Sequence, residues 1–370
     1  MDTIAYIRTT GIYNDSRATK EIIDLANSGR QIIVLSWDRD GKANDECKKV
    51  FSQEHNISFH FYSVYAQSGI GFHNIHKLVG WFKWVYRQLK KIKGIGAVHA
   101  CDLDAGWPAY MFCKRHGIPL VYDIYDYYID SHSIPQRIVS FIENLEIKTI
   151  NYSSVTIICT EERREQIKQA SPHKVIVIHN SPDIEIENGL NIEYDCVYCG
   201  GLDNKRLIGA IINHYIDNQD LSFCMAGYGE NTEAAIKLAE TYSGFVFKGA
   251  IPYNEVIDIE RHARCLTAIY DPAYRNHRLC APNKFYEAIA LGKPVIVCRG
   301  TGIDRIVEDN NIGVVINYDV ADFYTALRSL VASPELCEIM GKNGRNLYDK
   351  EYRWEYMRKR LLDAYAEILH

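Results

Sequence analysis

The chain has 370 residues, close to half of them apolar, and a formal charge of −5. That length buries a sizeable core and points to two domains rather than one, while the negative balance argues against a protein that holds nucleic acid by bulk electrostatics. Eleven cysteines without a repeating spacing read as reduced cytoplasmic thiols, and the opening "MDTIAYIRTTG" reads as neither a signal peptide nor a membrane span.

In the first half, short runs rich in valine and isoleucine predict strands at 3–8, 31–37, 58–64, 97–102, 119–124, 154–159 and 174–180. They lack strict alternation, as strands covered on both faces do. Amphipathic stretches such as "SRATKEIIDLANSG" (16–29) separate several of them, and strand, helix, strand in that order predicts a parallel sheet. Ser16 and Arg17 follow the first strand at a helix start, where they either meet an acceptor phosphate or, in the serine's case, simply cap the helix.

No acid occurs between His55 and Cys101, yet six lysines and arginines lie within 77–93. A helix over 74–93 would carry an apolar stripe of Ile75, Leu78, Val79, Phe82, Val85, Tyr86, Leu89 and Ile92, and would put Trp84 among the cations on the opposite side. Lys83, Trp84, Arg87, Lys90 and Lys91 are therefore expected to meet an anionic membrane surface, at the inner face of the plasma membrane, unless the helix is merely solvated. Next, "HACDLDAGWP" (99–108) and "VYDIYDYYID" (121–130) follow consecutive strands. Asp102 and Asp104 form a D-x-D in the half of the chain opposite the phosphate-type loops, so no metal site is expected there. A helix cap and an acid that contacts an acceptor remain equally open.

"NSPDIEIENGLNIEYD" (180–195) interrupts the alternation and reads as a link; the expected domains are 1–183, 184–350 and a last amphipathic helix, 351–370, packing back toward the first. Six more strands then begin at "CVYCGG", "LSFCMAG", "FVFKGA", "CLTAIYD", "PVIVCRG" and "GVVINY". The C-x-x-C of Cys196 and Cys199 lies in a strand, which aims its sulfurs at opposite faces and argues against a metal or redox role. "CGGLDNKR" (199–206) offers Gly200, Gly201, Lys205 and Arg206 at a strand end, and "AGYGE" (226–230) offers Gly227 and Gly229 at a helix entry, both suited to a diphosphate. In "APNKFYEAIALGKPVIV" (281–297), Pro282 and Asn283 stop a loop and Lys284 opens a helix whose first turn would ordinarily favour acids. Glu287, one turn on, projects from the same side. A carboxylate there can accept both hydroxyls of a ribose while the lysine meets phosphate; the alternative is an exposed surface ion pair.

"PNKFYEAIALGKPVIV" followed by "GTGIDRIVEDNNIGVVI" (300–316) resembles the donor signature of glycosyltransferase family 4, with "YCGGLDNKR", "MAGYGE" and "FKGAI" in the order of that family's other donor loops. The resemblance implies the GT-B fold, two facing doubly wound Rossmann-like domains with a cleft between them. It implies that Glu287 binds the ribose of a nucleotide diphosphate sugar, UDP-linked in preference to GDP-linked, and that Lys284 with Lys205 or Arg206 neutralises the leaving diphosphate. Transfer with retention and no obligatory metal follow from it too. Many members place a second glutamate where this chain has Leu279, and a histidine where it has Tyr125, which turns attention to Asp123 and Asp126 as contacts of the acceptor hydroxyl. Asp126, Asp104 and Tyr125 are the candidate catalytic residues; Ser16, Arg17, Asp102 and Asp123 are the candidate acceptor contacts. The expected activity is retaining transfer of a sugar to a glycan or lipid-linked acceptor in surface polysaccharide or glycolipid synthesis. The alternatives are a non-catalytic nucleotide-sugar-binding subunit and a nucleotide-sugar epimerase.

Overall fold

A computed structural model of the chain describes residues 2–66, 75–187 and 189–369. Residue 74 at the expected start of the basic helix, Asn188 in the expected link and His370 at the end of the expected last helix lie outside the described residues. The chain divides into two compact units: one runs to His179 and takes up again at Met357, the other spans Asn180–Tyr356.

The first unit is built on seven parallel strands, β1 (Thr3–Arg8), β2 (Gln31–Asp38), β3 (Ile57–Ser63), β4 (Ile95–Cys101), β5 (Leu120–Ile124), β6 (Val155–Ile158) and β7 (Val175–Val177), in the order β3-β2-β1-β4-β5-β6-β7. Ile4, Ala5, Tyr6 and Ile7 of β1 are all fully buried, the condition for an apolar run without alternation. The register pairs Ile4 with Ile32 of β2 and with Ala97 of β4. Helices α1 (Ser16–Asn27), α2 (Ala43–Val50), α3 (Ile75–Leu89), α4 (Leu103–His116), α5 (Tyr128–Ser131) and α6 (Gln136–Tyr152) connect the strands. The strand order reverses between β1 and β4, so the loops leaving those two strands line the crevice where open α/β sheets bind ligands.

Helix α3 corrects the expected wheel. Its buried residues are Trp81, Val85 and Leu89, whereas Ile75 and Val79 of the expected stripe are exposed. Trp84 does not stand among the cations on a solvated side: it stacks on Trp81 at 5.4 Å and tilts against Tyr62 at 5.7 Å. The three tryptophans Trp37, Trp81 and Trp84 form one aromatic wall, and aromatic burial of that size outweighs the smaller aliphatic residues in fixing the rotation of the helix.

The second unit repeats the plan with six parallel strands, β8 (Tyr194–Gly201), β9 (Phe223–Tyr228), β10 (Phe245–Phe247), β11 (Ala263–Ala268), β12 (Val295–Cys298) and β13 (Gly313–Ile316), in the order β10-β9-β8-β11-β12-β13. Its helices are α7 (Ile208–His214), α8 (Thr232–Thr241), α9 (Tyr253–Arg261), α10 (Arg275–Arg278), α11 (Asn283–Ala290), α12 (Ile303–Asn310), α13 (Val320–Ala332) and α14 (Pro334–Leu347). Here the order reverses between β8 and β11. The last helix, α15 (Trp354–Ile368), lies mostly in the first unit. Its Tyr365 hydroxyl meets Nδ1 of His99 at 2.9 Å, Arg358 bonds Asp24 at 2.7 Å, and Lys174 bonds Glu367 at 2.6 Å. Among the described residues, no helix is long and apolar enough to cross a membrane.

Candidate active site

In the second unit the candidate donor residues gather around the ends of β8 and β11. Gly200 and Gly201 close β8 itself rather than forming a loop after it. Gly227 lies against Gly200 with φ +137°, and a Cβ there would sit 1.8 Å from the Gly200 carbonyl oxygen. Gly229, at φ +156°, is hemmed in the same way, since a Cβ there would sit 2.7 Å from the Leu202 carbonyl oxygen. The amides of both glycines are already engaged, Gly227 N–H by the Gly249 carbonyl at 2.7 Å and Gly229 N–H by the Thr232 hydroxyl at 2.9 Å. The G-x-G therefore serves close strand approach, and its amides do not form the expected anion cradle.

The cations beside it are placed by aromatic rings that the sequence reading passed over. A turn at Asn204–Arg206 sets Lys205 Nζ 4.4 Å from the Tyr274 ring centre and the Arg206 guanidinium 5.1 Å from that of Tyr270. Arg206 also pairs with Asp203 at 3.0 Å, whereas Lys205 is exposed and has no carboxylate partner among the described residues. The backbone between β11 and α10 fixes this corner, since Asp271 N–H donates to the Lys205 carbonyl at 2.9 Å and His277 Nδ1 contacts the Asp271 carbonyl at 3.0 Å.

Lys284 and Glu287 form the centre. Helix α11 begins at exposed Asn283, capped by Pro282 in an extended conformation. Lys284 Nζ bonds Glu287 Oε2 at 3.2 Å; the glutamate is 1 % exposed and the lysine side chain 16 %. This is no surface ion pair. Oε1 of Glu287 is buried and has no hydrogen-bond partner among the described residues, which leaves a carboxylate oxygen able to accept from a ligand. Burial alone would lower the lysine's pKa, but the carboxylates of Glu287 and Glu260 outweigh it and hold it raised.

Glu260, at the end of α9, is the residue that sequence reasoning missed. It is fully buried, and neither of its carboxyl oxygens has a hydrogen-bond partner among the described residues. Burial, with Glu287 adding to it, pushes its pKa well above the ordinary carboxyl value, against the pull of Lys284. The Lys284 ammonium thus acts on both carboxyls, and burial favours the neutral form of Glu260. Leu279, at the position of the family's second glutamate, is half-buried at the end of α10.

In the first unit the loops after β1, β4 and β5 are joined by a buried ionic network. Arg8 bonds Asp15 and Asp102, each at 2.8 Å, and its guanidinium lies 3.8 Å from the ring centre of Tyr125. Arg17, 4.4 Å from the same ring, bonds Asp123 at 2.7 Å and Glu21 at 2.9 Å. Arg17 is 3 % exposed and Asp123 is fully buried, so neither reaches an acceptor; both are corrected to supports of the loops above them. Burial would raise Asp123, but Arg17 and His99 outweigh it and hold the carboxyl lowered. Ser16 starts α1 without capping it, because Asp15 accepts the Ala18 N–H at 3.1 Å.

Asp102 holds the N-cap position of α4, where its carbonyl accepts the Gly106 N–H at 2.7 Å, but its side chain does not cap the helix. It stands at φ +61°, ψ 167°, and its Oδ1 accepts the amides of Tyr125 at 2.9 Å and Asp126 at 3.1 Å. A strained backbone held by three bonds to its side chain fixes the β5 loop. Burial raises its pKa to about 6, against the pull of Arg8. Asp104 is half-buried, raised by burial and drawn down by His132 and a bond from Tyr128. The Tyr125 hydroxyl is buried and has no hydrogen-bond partner among the described residues. Asp126 has a side chain half exposed, and Arg163 approaches it at 3.3 Å. Of the candidate catalytic residues, Asp126 is therefore the one most open to a reacting group.

His99, Cys101 and Asp123 bring ligand atoms within 4.8 Å of one another. Arg17 already holds both Asp123 oxygens and the Tyr6 hydroxyl lies 3.3 Å from the Cys101 sulfur, so a cation there would have to displace an arginine. This donor set fits an ion network better than a metal.

Residues 22–186 match the family described as Glycosyltransferase Family 4, and residues 193–333 match Glycosyl transferases group 1. The alpha-maltose-1-phosphate synthase of Mycobacterium tuberculosis is 30% identical over 89 residues, 22% of this chain and 23% of that protein, so the match spans about a quarter of the relative's length. Among solved structures, sucrose-phosphate synthase from Thermosynechococcus elongatus superposes with a TM-score of 0.73 at 12% identity, over 100% of this chain and 99% of that one. Anabaena Alr3699/HepE, in complex with UDP and glucose, gives 0.73 at 14% identity, over 99% of this chain and 100% of that one.

Proposed function

From a chain that belongs to glycosyltransferase family 4 and has the GT-B fold, we infer an enzyme that moves a sugar from a nucleotide diphosphate to an acceptor hydroxyl with retention. The observation that carries this reading is the buried Lys284–Glu287 pair with one carboxylate oxygen unengaged. Ribose hydroxyls donate to Glu287, Lys284 and exposed Lys205 offset the diphosphate, and the departing charge is stabilised without a proton having to move. UDP is the favoured nucleotide, in keeping with the ligand of the Anabaena structure. The acceptor is a glycan or lipid-linked hydroxyl in surface polysaccharide or glycolipid synthesis, contacted by Asp126 and steadied by the Asp102 network. An enzyme working on such an acceptor would operate at the inner face of the plasma membrane.

A thermal-shift series with UDP-, GDP- and CMP-sugars tests the donor half, because a ligand at 100 times its Kd stabilises by about 2.7 kcal/mol. Selective stabilisation by one nucleotide class, followed by acceptor-dependent release of that nucleotide, is the expected result. Donor conversion without an acceptor would point to an epimerase, and binding without turnover to a non-catalytic subunit.

A further inference from the structure

Helices α3 and α4 leave between them an open groove of about 650 Å³ within the first unit. Its floor is apolar, with Phe82 from α3 and Trp107 and Met111 from α4, and Met111 is 48 % exposed. Its rim carries four cations, Lys83 and Arg87 on one helix and Lys114 and Arg115 on the other, and no acid lines it. None of the four is ion-paired among the described residues; Lys114 alone is engaged, with the Tyr110 hydroxyl at 3.0 Å. Trp107 lies one turn beyond Asp104 on α4, and Trp81 of α3 bonds the Asp104 carbonyl at 2.9 Å. The groove therefore starts a helical turn from the candidate acceptor loop.

A small hydrophilic anion would be served by the rim and would leave the floor wet. A neutral hydrocarbon would leave four like charges crowded without a counter-charge. Only an amphiphile with an anionic head and an aliphatic tail satisfies both at once. We propose that this groove is a docking site for an anionic phospholipid of a bilayer surface, its phosphate held by the rim and an acyl chain laid along Phe82, Trp107 and Met111. The site differs from the membrane face expected from the sequence: it lies between two helices, and the tryptophan that lines it is Trp107, whereas Trp84 packs on Trp81 and Tyr62. The inference bears on the lipid-linked acceptor of the proposed function and is independent of donor chemistry.

The test is co-sedimentation of the intact chain with vesicles of phosphatidylcholine alone and with a third phosphatidylglycerol. Each cation near an anionic surface strengthens binding about fivefold, so reversing two should weaken it by at least tenfold. The expected result is sedimentation with the anionic vesicles only, reduced by that factor in Arg87→Glu with Arg115→Glu and several-fold in Met111→Asp. The milder pair Arg87→Gln with Arg115→Gln serves as a control against misfolding and should give an intermediate loss. Equal binding to neutral vesicles, binding unchanged in the variants, or concentration-dependent dimerisation abolished by Met111→Asp would each overturn the assignment. A chain that transfers sugar to a soluble acceptor but ignores vesicles would sink the groove and leave the proposed activity standing.

Discussion

Glu287 and Glu260 share one cation, and their different surroundings give them different tasks. Among the described residues, Glu287 is paired with Lys284 and keeps an oxygen without a hydrogen bond, while Glu260 has no hydrogen-bond partner and a pKa raised by burial and by Glu287. A carboxyl whose folded value lies above its unfolded one contributes stability that is full below the unfolded value and lost as pH rises through the folded one. Glu260→Gln mimics the protonated acid and removes that loss. It should raise stability at pH 8 by at least about 1 kcal/mol, with the gain shrinking toward pH 4, where the unfolded chain's Glu260 becomes mostly protonated as well. Urea titrations at the two pH values give the comparison; a variant less stable at pH 8 would mean that Glu260 is ionised and needed as a charge.

Among the elements, the strands were legible and the loops were not. Every expected strand forms, because valine and isoleucine runs covered on both faces have few other places to go, and Lys284 met Glu287 because three residues of helix bring them to one side. Glu260 was hidden by distance along the chain, since nothing local links it to Glu287. The position of Trp84 is not legible from a helical wheel, because a count of aliphatic residues ignores the stacking of Trp37, Trp81 and Trp84. The motif "AGYGE" suggests a phosphate turn, but the closeness of its glycines to Gly200 and Leu202 depends on strand pairing that no short motif displays. That pairing gives a prediction: Gly227→Ala combines a left-handed backbone with a Cβ 1.8 Å from the Gly200 carbonyl oxygen. It should destabilise by about 2 kcal/mol or more and displace the Lys205–Arg206 turn that follows Gly200. Chemical denaturation reads the first effect, and wild-type stability in the variant would remove the close-approach explanation.

At the scale of the whole molecule, each unit places its candidate site at the reversal of its own strand order, after β1 and β4 in one and after β8 and β11 in the other. The first unit also depends on the end of the chain. Met357, Leu361 and Tyr365 of α15 are fully buried, and at about 2 kcal/mol each their burial is comparable to the total stability of an ordinary domain. A chain ending at Tyr356 should lose the cooperative melting of the first unit while the second still unfolds as a unit in calorimetry. Two intact transitions would show that α15 is dispensable.

The central claim is that the buried Lys284–Glu287 pair receives the ribose and diphosphate of a sugar nucleotide. Calorimetric titration of UDP and GDP into the intact chain and into Glu287→Ala tests it most directly. Hydrogen bonds to a charged group contribute about 1.5–3 kcal/mol, so the nucleotide that binds more tightly to the intact chain should bind at least tenfold more weakly to the variant. Affinity unchanged by the substitution, or no binding of either nucleotide to the intact chain, would contradict it.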